Sequence, residues 1–198
     1  MSLLLAFGHQ SRVGKDTCVN EAVRYLNELK KKDPALPWRS VRKRSFFTAG
    51  KDSAYEIFKC YGLERGEFYD REEHQHLRDV KLPGVNKTPM EIWLDYGAMV
   101  REIHEPAFAD RAVYDLPEGE FSVFTSLRYP TEVEAIRRLG GWFVKVERIP
   151  QPPLRPLDVF IPPDFEWDAH ILNAGTLEDL RGLTREVVSA YLGNELTK

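Results

Sequence analysis

The sequence is short of cysteine, of long apolar runs and of any large surplus of one charge. Its two cysteines, Cys18 and Cys60, have no metal spacing and no accompanying histidine pattern. That excludes a disulfide framework and a zinc module, and both residues read as reduced, buried thiols of a cytosolic protein. No apolar stretch approaches the roughly 18 residues that mark a membrane span. The N-terminal apolar run lacks a basic start, so neither a signal peptide nor a membrane partner is expected. A net charge of -3 argues against a dedicated nucleic-acid binder. Internal repeats and low-complexity tracts are also missing. What remains is a chain of 198 residues, 42% hydrophobic, long enough for one domain with a real core.

The informative segment comes first. Leu3 to Phe7 is a continuous apolar run. It is followed by Gly8-His9-Gln10-Ser11-Arg12-Val13-Gly14-Lys15-Asp16-Thr17, and then by Val19, Ala22, Val23, Leu26 and Leu29 at helical spacing. Buried strand, glycine loop and helix is the context of a phosphate-binding loop. Backbone N–H groups of the loop and of the first helical turn face an anion, the helix dipole adds partial positive charge, and Lys15 adds a full one. Gly8, Ser11, Arg12, Val13, Gly14, Lys15, Asp16 and Thr17 are therefore the candidate ATP and phosphate contacts. Two features depart from the common form. Five residues, not four, separate Gly8 from Gly14, and Asp16 stands where Ser or Thr usually helps to hold magnesium.

Downstream, strands alternate with helices. Helices are expected over 16–32, 51–61, 88–103, from 130 to the Gly140-Gly141 stop, and from 176 onward. Strands are expected over 41–47, 121–127, 142–146 and 169–172. Thr88-Pro89-Met90-Glu91 is a helix start with an N-cap, Pro at the first position and a capping Glu. A second box is expected at 130–134. On the last helix, Leu177, Leu180, Leu183, Val187, Val188 and Tyr191 are expected to be buried. Residues 63–87 are polar and carry no clear period. The prolines of 149–166 exclude a regular element. This alternation implies an α/β fold with a parallel sheet covered on both faces, its ligand at the carboxyl ends of the strands.

Several blocks together resemble the phage-type deoxynucleoside monophosphate kinases. They are Gly14-Lys15-Asp16-Thr17, the segment 47–51 ending in Lys51, Ser126-Leu127-Arg128-Tyr129-Pro130-Thr131-Glu132 with Gly140-Gly141, Val146-Glu147-Arg148, and Asn173-Ala174-Gly175-Thr176. The resemblance implies a three-layer P-loop nucleotide kinase fold over 1–198. In it, 63–115 would be a helical region that binds the nucleoside monophosphate, and 149–167 a lid. It implies transfer of the γ-phosphoryl of ATP, with Mg2+, to a deoxynucleoside 5′-monophosphate, in the cytoplasm (the host's, if the chain is phage-encoded). Lys15, Arg128 and Arg148 would be catalytic, Lys51, Arg101 and Arg128 would bind substrate, and Asp16 and Thr17 would hold metal. Ser126 stands where the family usually has a magnesium-orienting Asp, which leaves Asp16 or Asp168 to supply that carboxylate. The lid is reduced, with Arg155 as its central cation.

Plainer readings stand beside these. Arg128 could form a surface ion pair with Glu132. Lys51, Arg101 and Arg148 could belong to solvated helix faces or strand ends. The basic run 39–44 reads as a solvated strand edge, and Trp93, Trp142 and Trp167 as core. His9 could touch the nucleotide. Other functional classes also stay open: a kinase of another phosphorylated small molecule such as phosphomevalonate, a catalytically weak nucleotide-binding module, or a nucleic-acid end kinase, which the net charge disfavours. A homodimer is open as well.

Overall fold

The structure, a computed structural model, describes residues 3–8, 10–114, 116–154, 158, 161–162 and 164–196. In chain order the elements begin β1 (Leu3–Gly8), α1 (Lys15–Lys32), β2 (Ser40–Ser45), α2 (Thr48–Phe58), α3 (Gly66–Asp70), α4 (Pro89–Ile103) and α5 (Ala107–Tyr114). They continue with β3 (Glu120–Leu127), α6 (Pro130–Arg138), β4 (Trp142–Arg148), β5 (Ala169–Asn173) and α7 (Leu177–Glu195). Two compact units result: 1–45 with 113–198, and Phe46–Ala112.

The first unit is built on a five-stranded, all-parallel sheet of order β2-β3-β1-β4-β5. All six residues of β1 are buried, as expected of a central strand covered on both faces. Leu3, Leu5 and Phe7 pack with Val19, Ala22 and Leu26 of α1 and with Leu180, Val188 and Tyr191 of α7. On the other face, Leu4 and Ile136 of α6 close around Gly141, where an added Cβ would lie 2.8 and 2.6 Å from their side chains. Fully burying each such Leu or Ile contributes about 1.5–3 kcal/mol. One N–H of β1 is satisfied by a side chain: the Tyr191 hydroxyl accepts from Leu4 at 3.0 Å, just before the β1–β4 pairing begins at Leu5.

The topology fixes where a ligand can sit. From β1 the chain runs through α1 past β3 to β2 at the sheet edge. From β3 it runs through α6 past β1 to β4. The connections leave β1 and β3 in opposite directions, so the crevice outside their carboxyl ends is a topological switch point.

The second unit is helical. Ala54, Leu63, Tyr69, Ile92 and Trp93 form its core, with Tyr69 edge-on to Trp93 at 5.3 Å. Phe68 stacks on His74 at 4.0 Å.

Most expected boundaries hold within two or three residues. Thr88 and Glu91 form the reciprocal capping box, and Thr176 forms another with Asp179. At α6 the cap is the Glu132 carboxylate, which accepts the N–H groups of Arg128 and Tyr129 at 2.7 and 3.1 Å. Helices fill the region expected to be helical over 63–115, and two expectations of burial, on α7 and at Cys60, are corrected. The stretch 63–87 folds as α3 and a 3-10 helix, Glu72–Asp79, whose short turns leave no helical period to read. Ala107–Tyr114 form α5, inside the helical region expected over 63–115. Leu177 and Leu183 are exposed, because α7 turns Leu180, Thr184, Val188 and Tyr191 inward at spacings of three and four. Cys60 is exposed at a 3-10 turn, whereas Cys18 is buried under the sheet, and both are free.

Candidate functional site

The site begins where β1 ends. Gly8 leaves the sheet against the indole of Trp167, and an added Cβ would meet that ring at 2.5 Å. Gly14 caps α1 with φ 102, a conformation that excludes most side chains. Any Cβ there would also press on Asn173 and Leu180 at 2.9 and 3.0 Å. Asn173 ends β5, and its amide donates to the carbonyl of Val13 at 3.0 Å. The loop is thus held from β5.

Lys15 opens α1 with only 6% of its surface exposed, and its ammonium donates to the carbonyl of Gln10. Desolvation, then the nearby guanidinium of Arg128, lowers its pKa from 10.5 to about 8 against the pull of Asp158 and Asp16. A buried cation this weakly compensated favours any anion that enters.

The end of β3 forms the opposite wall. The β1–β3 register runs Ala6 to Phe124 and then Gly8 to Leu127, so β3 carries one extra residue there. This is a bulge, with Ser126 at φ 61. Arg12 of the glycine loop has φ 63, so two non-glycine residues in left-handed conformations flank the same crevice. After the bulge, the side chain of Arg128 reaches Ser11 Oγ at 3.3 Å and Asp158 Oδ1 at 3.8 Å. Before it, the Thr125 hydroxyl donates to Asp16 Oδ1 at 3.1 Å and lies 3.4 Å from the Ser126 hydroxyl. Lys43 of β2 reaches the same Asp16 oxygen at 3.3 Å and Asn20 at 3.1 Å. Desolvation works against the Asp16 carboxylate, yet Lys43, Thr125 and Lys15 together lower its pKa.

Among its described residues, the Pro-rich segment meets the glycine loop through Gln151 and Asp158. Gln151 Nε2 donates to Gln10 Oε1 at 2.9 Å. Asp158 Oδ1 accepts from the N–H and the hydroxyl of Ser11 at 2.9 and 2.8 Å.

The sheet unit therefore brings together Ser11, Lys15, Asp16 and Arg128, with Gly8, Arg12, Val13, Gly14 and Thr17 on the loop and first turn that carry them. Arg148 stands exposed at the carboxyl end of β4, in register with Asn173, and has no ion pair among the described residues. Asp168 cannot substitute for a carboxylate at Ser126. It accepts the N–H of Phe143 at 2.8 Å at the amino ends of β4 and β5. Lys51 and Arg101 belong to the helical unit. Lys51 pairs with Asp70 at 3.4 Å and lies over Trp93, and Arg101 lies over Phe47 and Phe108. His9 and Arg155, and with Arg155 part of the expected lid, fall outside the described residues.

Of the plainer readings, the solvated strand edge holds only in part. β2 is an edge strand, but Lys43 turns to Asp16, and Arg44 pairs with the buried Glu120 at 2.6 Å. Sequence reasoning missed Thr125, Lys43 and Asp158 as members of the site, and gave Asn173 no role. A Thr beside Ser126 at a strand end was a readable signal. Asp158 lies 147 residues from Ser11, and no local pattern reveals it.

Chemically, the cluster has the makeup of an anion cradle. The Ser11 N–H, the N-terminus of α1, the buried Lys15 ammonium and the Arg128 guanidinium gather beyond the carboxyl ends of β1 and β3, and all are groups that favour an anion. No group of three or more His, Cys, Asp or Glu side chains suited to a metal occurs among the described residues. Nor is any described helix long and apolar enough to cross a membrane.

Comparison with known proteins adds little. No family model matches the chain, and no curated protein does. Among solved structures it is similar to APE1195, as seen in that protein's crystal structure, at 15% identity and a TM-score of 0.45 over 96% of this chain and 95% of that one. A likeness of that degree settles neither fold nor activity.

Proposed function

We propose that the chain is an ATP-dependent kinase whose acceptor is a phosphate, with deoxynucleoside 5′-monophosphates as the substrate class. The observation that carries this reading is the meeting of Lys15, Ser11 and Arg128 at the switch point between β1 and β3. Phosphoryl transfer asks little covalent chemistry of a protein. It asks that donor and acceptor be aligned and that migrating charge be met by fixed cations. In this reading Lys15 holds the donor phosphates, and Arg128, whose side chain reaches Ser11 Oγ at 3.3 Å, bridges toward the acceptor. No general base is required, because an acceptor phosphate is already an oxyanion.

The donors fit magnesium. Asp16, Thr17, Thr125 and Ser126 offer one carboxylate and three hydroxyls, all hard oxygen ligands. Mg2+ bound by a single carboxylate takes its remaining ligands from substrate phosphates and water. When bound it would neutralise phosphate charge, while Lys43 and Thr125 hold the Asp16 carboxylate in place. The Asp16–Thr125 pairing supports metal handling without the carboxylate that the family resemblance expects at Ser126.

The test is product analysis by ion-exchange chromatography after incubation with MgATP and a mixture of deoxynucleoside monophosphates. Formation of a deoxynucleoside diphosphate, lost in Lys15→Ala, is expected. MgATP binding without any diphosphate would favour the binding-module reading.

A further inference from the structure

We propose that Asp158 is a built-in occupant of the anion cradle, which a polyphosphate ligand must displace. The inference rests on the phosphate-binding reading above and adds to it a competitor within the chain. The Asp158 side chain is fully buried, with 0% of its surface exposed. Its Oδ1 takes both hydrogen bonds that Ser11 can offer, the loop N–H at 2.9 Å and the hydroxyl at 2.8 Å. The same oxygen lies 3.8 Å from Arg128, and its charge acts on Lys15. These are the donors and cations that a bound phosphate would use. One N–H cannot serve two anions in one place, and two anions pressed together there would repel each other. The Gln151–Gln10 bond fixes a second point of the same segment to the same loop.

A carboxylate brings one charge and two oxygens, whereas a diphosphate or triphosphate brings more of both. The exchange therefore favours polyphosphates and discriminates against singly charged anions. Its consequence is quantitative. Apparent affinity is reduced by the fraction of molecules in which the cradle is open, and removing Asp158 removes that reduction.

The experiment is calorimetric titration of wild type, Asp158→Asn and Asp158→Ala with two probes, ADP and inorganic tripolyphosphate. Thermal melts confirm that each variant is folded. Asn keeps the shape and loses the charge, and Ala loses both. Both variants are expected to bind both probes about tenfold more tightly than wild type. Binding that is unchanged or weaker overturns the exchange while leaving the cradle itself standing. Failure of all three proteins to bind either probe overturns both the exchange and the phosphate reading beneath it.

Discussion

The side-chain amide of Asn173, the last residue of β5, donates to the carbonyl of Val13 across 3.0 Å. The bond ties the far edge of the sheet to the residue before the helix-capping Gly14. Val13 is fully buried, so its carbonyl would lose a partner in a dry environment. Asn173→Ala should cost about 1–3 kcal/mol, the usual penalty for an orphaned buried acceptor. It should also weaken binding of ADP, because the loop loses its tether. Urea unfolding and calorimetry check the two parts. A loss of stability with unchanged ADP affinity would make the contact purely structural.

Tyr191 offers a purely structural counterpart. Its hydroxyl accepts the N–H of Leu4 at 3.0 Å, and burial raises its pKa well above the ordinary tyrosine value, so it stays protonated. Tyr191→Phe should destabilise the fold by about 1–3 kcal/mol and leave ligand affinity per folded molecule unchanged. Denaturant midpoints alongside titration separate these outcomes.

How much of this was readable in the sequence depends on the range of the chemistry. β1, the glycine loop and α1 were legible because strand, turn and cap are local features. Thr88 and Thr176 announced their helices because a cap and its partner lie three residues apart. The 3-10 helix at Glu72–Asp79 was illegible because no apolar face repeats in it. The bulge at Thr125–Ser126 was hidden because it is a mismatch between two strands, and neither strand shows it alone. Arg128 could be anticipated after its strand. Its partner could not, since Asp158 arrives from a Pro-rich segment with no pattern that aims it at Ser11.

Lys15 should couple binding to pH. Its folded pKa, about 8, lies below the ordinary 10.5, so burial of the charge opposes folding. The penalty is fully present below pH 8 and disappears as pH rises from about 8 to 10.5, where the unfolded chain holds the extra proton. Lys15→Met should therefore gain up to about 3 kcal/mol of stability at neutral pH and flatten that rise. A bound polyphosphate restores the ammonium. Wild type should take up protons on binding ADP near pH 8 and bind more weakly above it. Titrations in two buffers of different ionisation enthalpy measure the uptake. No uptake would mean that Lys15 does not face the ligand.

The two hydroxyls on the β3 bulge should set the magnesium requirement. Thr125→Val releases Asp16 from its 3.1 Å partner and should raise the Mg2+ concentration for half-maximal activity. Ser126→Asp adds a carboxylate beside Asp16 and should lower it. Magnesium titrations unchanged in both variants would mean that the metal is carried by phosphates and water alone.

The central claim is that the cradle of Lys15, Ser11 and Arg128 transfers a phosphoryl group between nucleotides. Coupled ADP release tests it most directly, with MgATP and each acceptor in turn: the deoxynucleoside monophosphates, phosphomevalonate and an oligonucleotide. Release should depend on a deoxynucleoside monophosphate and fall about a hundredfold or more in Lys15→Ala, as expected when one transition-state donor is removed. Arg128→Ala should slow release more than it weakens ATP binding. Release that ignores every acceptor, or that survives in Lys15→Ala, would contradict the account.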